Sequence, residues 1–100
     1  MKIIEKKSDP DTFQKHLDGI KNFDLRGDDD NAQPNDILYL REFDRETKKY
    51  SGRTIRVLIL WVLRGPVFGK LAEGDCIMSL HPDMIKREGE FYGRKAMTNG

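Results

Sequence analysis

The chain has 100 residues, with 18 Lys and Arg against 17 Asp and Glu, a formal net charge of +1 and a single cysteine. That length holds one domain with a modest core; near-zero net charge excludes a broad electrostatic pull on nucleic acid or membrane, and the lone Cys76 excludes an internal disulfide. The longest apolar run, Val57 to Leu63, falls far short of the ~20 residues of a membrane span, and the N-terminus lacks the apolar core of a leader, so the expectation is a globular cytoplasmic protein that does not touch a membrane.

Met1 to Lys7, with Ile3 and Ile4, reads as a short first strand. Asp9 as a cap, Pro10 in the first turn and Gly19 as a stop predict a helix over Pro10 to Asp18. Phe13, Leu17 and Ile20 would form its apolar stripe, leaving Gln14, Lys15 and Asp18 to solvent and His16 beside the stripe. Asn22 to Arg26 alternates as a half-buried strand, with Phe23 and Leu25 on one face and Asn22, Asp24 and Arg26 on the other.

Gly27 to Asn35 is a polar loop; its aspartates, Asp28, Asp29 and Asp30, are contiguous and lack the alternating spacing of a calcium loop, and no His or Cys spacing points to any other metal. Asp36 to Phe43 and Arg53 to Leu63 predict an antiparallel pair joined by a long hairpin connection. The second is apolar on both faces from Val57 onward, which places it in the interior. Gly65, Pro66 and Gly69 mark a loop, and Asp75 to Leu80 supplies a fifth strand with Cys76, Met78 and Leu80 inward, Cys76 as a small core residue. Residues 82–100 read as a polar, weakly ordered tail with room for a short helix over Asp83 to Glu88.

One constellation carries chemistry. Asp24 and Arg26 lie two apart and share a strand face, so the carboxylate can orient the guanidinium, and Lys21 adds a second cation at the strand entrance. Such a group suits an anionic or amide-bearing ligand, but spacing alone favours a simple surface ion pair.

Three stretches occur in a telling order: GIKNFDLR at Gly19 to Arg26, NDILYLREFDRETKKYSGR at Asn35 to Arg53, and VLRGPVFGKLAEGD at Val62 to Asp75. The first resembles the signature of the ASCH domain of the PUA-like superfamily: a glycine, a lysine two on, then an acidic residue and an arginine. The ordered set is similar to a small bacterial and phage branch of unknown function, and covers residues 1 to 81. The resemblance implies an α+β fold, a small five- to six-stranded PUA-like β-barrel with one or two flanking helices, and a cleft lined by Lys21, Asp24 and Arg26. Asp24 stands where glutamate is usual. Tyr39 and Arg41 are expected as neighbours on the following strand; Arg41 and Glu42 face opposite sides, so only one of them enters the cleft.

The function implied is an RNA- or nucleotide-binding module working without metal or cofactor, a charged cleft with aromatic neighbours able to stack a base and pair with its polar edge. Two alternatives stand beside it. Some compact ASCH-like proteins resemble amidohydrolases of acylated cytidine that use lysine, threonine and glutamate; Lys21 matches, Asp24 takes the place of the threonine, and Glu73 corresponds only loosely. The other is a phage or bacterial interaction domain that binds a host protein.

Overall fold

The computed structural model describes residues 1–87 and 90–92, with side chains through residue 82. The chain forms β1 (Ile3–Ser8), α1 (Pro10–Leu17), β2 (Phe23–Gly27), β3 (Ile37–Asp44), β4 (Lys49–Arg64), β5 (Asp75–Arg87) and β6 (Glu90–Tyr92). The strands lie in the order β1-β3-β4-β5-β2, with β6 attached to β5, and the five curl into a half-barrel. β1 and β3 run parallel, in register from Ile3↔Ile37 to Ser8↔Glu42; a parallel pair requires a crossover, and the segment carrying α1 and β2 makes it. The other pairings are antiparallel. No helix among the described residues is long and apolar enough to cross a membrane.

The core lies on the inner face. Ile4, Leu38, Leu40, Ile55, Val57, Ile59, Cys76, Met78 and Leu80 meet Phe13 and Leu17 of α1 there. Phe13 is wholly buried, a placement that contributes about 2 to 3 kcal/mol. Burial pushes the Cys76 thiol above its ordinary range, as suits a core residue.

α1 starts at Pro10, but the Asp9 side chain does not cap it; its Oδ1 accepts from Arg45 Nε at 2.7 Å instead. The helix stops where Gly19 enters the left-handed region at φ 74°, and the Ile20 amide donates back to the Lys15 carbonyl at 3.0 Å, the closing bond of a glycine-terminated helix. That turn throws Ile20 off the helical stripe, and it is exposed rather than part of the core.

Three expectations about the strands need correction. On β2 the apolar residues face outward: Phe23 and Leu25 are exposed while Asp24 is buried. Asp24 pairs with Met78, and Arg26 with Cys76, and cross-strand partners share a face. On β4 the inner residues are buried but Leu60 and Trp61 are exposed. Irregularities on both sides of Ile59 break its regular pairing with β5, and bulges of this kind bend a strand and re-aim its side chains.

Where a short helix over 83–88 was expected, residues up to Arg87 continue β5, with Ile85 opposite Val57 and Arg87 opposite Ile55. β4 is 16 residues long and has β3 along its other edge, so pairing along its free edge satisfies backbone groups that local turn chemistry would leave to solvent. Residues 88–89 and 93–100 of the expected tail lie outside the described residues.

Candidate functional site

Lys21, Asp24 and Arg26 come together, with Asp24 at the centre. Its side chain enters the inner face of β2, and the residue is only 4% exposed. Arg26 Nε donates to Asp24 Oδ2 at 2.5 Å, and Lys21 Nζ donates to Oδ1 at 3.1 Å. Burial pushes the Asp24 carboxyl up, but His16, Arg26 and Lys21 outweigh it and hold the pKa at about 2. The carboxylate is therefore charged throughout the neutral range.

His16 joins this group from α1. Its Nδ1 lies 2.9 Å from the Lys21 carbonyl; a carbonyl only accepts, so Nδ1 carries the proton and donates. Nε2 is buried without a hydrogen-bond partner and lies 3.8 Å from Asp24 Oδ1, beyond hydrogen-bond reach. The direct donors to Asp24 are the two cations. The alternation of β2 could not reveal His16 as a neighbour; Gly19 brings it there by reversing the chain between α1 and β2.

Arg26 also bridges the open seam of the half-barrel. Its Nη2 donates to the Lys7 carbonyl of β1 at 2.7 Å, and Lys6 Nζ meets Asp30 at 2.7 Å, so the two end strands of the sheet are stitched across the seam. The cavity beside Arg26, which reaches Ile4, Asp28 and Cys76, encloses only about 10 Å³, room for about one water. Lys21 and Arg26 each keep an outer edge toward solvent, their side chains being 19% and 23% exposed. Phe23 is exposed beside Lys21, whose Nζ lies 5.1 Å from its ring centre.

Tyr39 and Arg41 do not join this group. On β3 it is Leu38, Leu40 and Glu42 that are buried, so Tyr39 and Arg41 stand on the opposite, outer face, and of the pair Arg41 and Glu42 it is Glu42 that turns inward. Glu42 makes a second buried cluster: Ser51 Oγ and Arg53 Nε donate to Oε1 at 2.6 and 2.9 Å, and Arg53 Nη2 donates to Oε2 at 2.8 Å. The Arg53 guanidinium holds the Glu42 carboxyl below its usual range despite burial. Arg53 falls opposite Glu42 by continuing the register that ends at Arg41↔Thr54, and the slip between Arg41 and Phe43 brings Ser51 to the same carboxylate, a feature the strand pattern alone does not contain. Glu73 sits exposed in the turn before β5.

No curated protein matches the chain. Residues 3–80, the segment that runs from β1 through the inner half of β5 and holds both carboxylate clusters, match a family described as a domain of unknown function (DUF3850). The match spans well over half of the sequence, and the chain belongs to that family.

Proposed function

We propose that this domain is an RNA- or nucleotide-binding module on an ASCH-type, PUA-like barrel, and that Lys21 and Arg26 hold the phosphate of the ligand. The observation that carries the reading is the buried, ionised Asp24 clasping two partly exposed cations at the seam of the half-barrel. A buried acid fixes both cations in advance, so less side-chain freedom is lost when an anion arrives. Lys21 has three ammonium hydrogens and Arg26 five guanidinium ones, more than their contacts with Asp24 and Lys7 consume. The tightness of the seam favours a phosphate at the rim over a base inserted between the strands, and the exposed ring of Phe23 beside Lys21 offers the base a stacking surface.

The test is titration of uridine monophosphate and uridine against the full chain. The monophosphate should bind and the nucleoside should bind much more weakly. Arg26→Ala should weaken the monophosphate by about 1.5 to 3 kcal/mol, the range of a charge-assisted hydrogen bond, and Lys21→Ala by less, since an ammonium is a screened point charge. Equal binding of both compounds, or an Arg26→Ala protein that melts and binds as wild type does, would remove this site from consideration.

A further inference from the structure

The outer face of β1, β3 and β4 carries a second meeting of charge and aromatic rings. Cross-strand register places Lys7 beside Arg41, Tyr39 beside Arg56 and Phe43 beside Tyr50. Each ring takes a cation: Arg56 lies 4.5 Å from the Tyr39 centroid, Arg41 3.9 Å from that of Tyr50, and Lys7 4.4 Å from that of Phe43. Phe43 and Tyr50 also touch, with centroids 4.9 Å apart. On a chain of net charge +1 this strip concentrates positive charge, answered by Glu5, which accepts from Arg41 Nη1 at 3.2 Å. A surface hollow of about 220 Å³ opens beside Tyr39, Arg41 and Tyr50.

We propose that this strip is a binding surface for single-stranded nucleic acid. Arg56 on one side of the Tyr39 ring leaves the other to a base, and the Arg41 guanidinium stacked on Tyr50 is a flat shelf for the same purpose. Tyr39, Arg41 and Phe43 follow one another at alternate positions of β3, ~6.8 Å apart at the rise of an antiparallel strand, so successive bases of an extended strand meet successive planes while Lys7 and Arg56 face its phosphates. A duplex buries its base faces in its own stack and cannot use such a shelf. This proposal goes beyond the Asp24 site and depends on other residues, on the opposite face of the sheet.

The experiment is fluorescence anisotropy of labelled octauridylate with the full chain, compared with an RNA duplex of equal length and with uridine monophosphate. The single strand should bind roughly tenfold or more tightly than the duplex, and Tyr39→Leu and Tyr50→Leu, which keep apolar bulk without a stacking ring, should each weaken it by about fivefold or more. Tyr39→Phe should bind as wild type, and Arg56→Glu, at a partly exposed position, should weaken binding with its melting temperature preserved. Monophosphate binding at Lys21 and Arg26 should be the same in all four variants, which separates the two sites. Duplex binding equal to single-strand binding, unchanged octauridylate affinity in the leucine variants and Arg56→Glu, or no octauridylate binding at all, each overturns the proposal. If octauridylate affinity falls only with Arg26→Ala, the Asp24 site stands and the outer strip does not.

Discussion

Asp24 and Glu42 are both buried on the inner face of the half-barrel, both meet an arginine, and both are held below the ordinary carboxylate range. Their surroundings differ in a way that bears on function. Glu42 has both oxygens taken by Ser51 and Arg53, and Arg53 goes on to Gln14 and lies over the Phe13 ring, so this cluster ties α1 to the β3–β4 hairpin. Asp24 meets two separate cations, each keeping an edge toward solvent, and faces a buried imidazole whose Nε2 has no hydrogen-bond partner. The first gives each guanidinium nitrogen of Arg53 a protein acceptor and works as a structural clamp. The second leaves donors pointing outward, and it lies where the sheet fails to close. A buried ion pair is thus no sign of a binding site in itself; what separates the two is how much donor capacity remains beyond the pair.

The comparison sharpens if the acids are removed one at a time. Asp24→Ala strands two cations that are about four-fifths buried, and should cost about 3 kcal/mol, near the lower end for breaking a buried pair. In thermal melts that is a fall of about 12 °C or more for a domain this size. Glu42→Ala should cost less, about 1 to 2 kcal/mol, because Arg53 is 38% exposed and can return to water. If Glu42→Ala proves the more damaging, the ranking of the two clusters is wrong.

Acid offers a finer probe. The Asp24 pKa falls from 3.8 to about 2 on folding, so the folded state binds this proton less readily than the open chain. The stability this contributes, about 2 kcal/mol, is fully present above about pH 4 and is lost as pH drops toward 2. Melting temperature followed over that window should fall less steeply for Asp24→Asn than for wild type; parallel curves would show that Asp24 is not held as described. The smallest effect should come from the outer face of β4. Trp61 is 57% exposed, and Trp61→Thr, which suits a strand, should shift stability by under about 1 kcal/mol. A larger loss in melts would show that Trp61 is packed against something in the folded protein.

Much of this molecule follows from neighbours in the chain. The helix between Pro10 and Gly19, the alternation of β2, β3 and the inner part of β5, and the turn chemistry between them depend on periods of two and 3.6 residues and on glycine and proline positions, all local properties. The grouping of Lys21, Asp24 and Arg26 was legible for the same reason, since residues two and three apart around a strand entrance have little freedom to separate. Tertiary structure decided the rest. Alternation gives a strand two faces without saying which is inside, and on β2 the pairing of Asp24 with Met78 turned the polar face inward against the apolar rule. The contacts of Arg53 with Glu42, Arg56 with Tyr39 and Lys7 with Phe43 each depend on register between strands, a quantity that changes every side chain's face with a slip of one residue. Register is settled by the summed burial of the whole inner face, which is why Tyr39 and Arg41, adjacent in pattern to the Asp24 group, came to lie on the other side of the sheet.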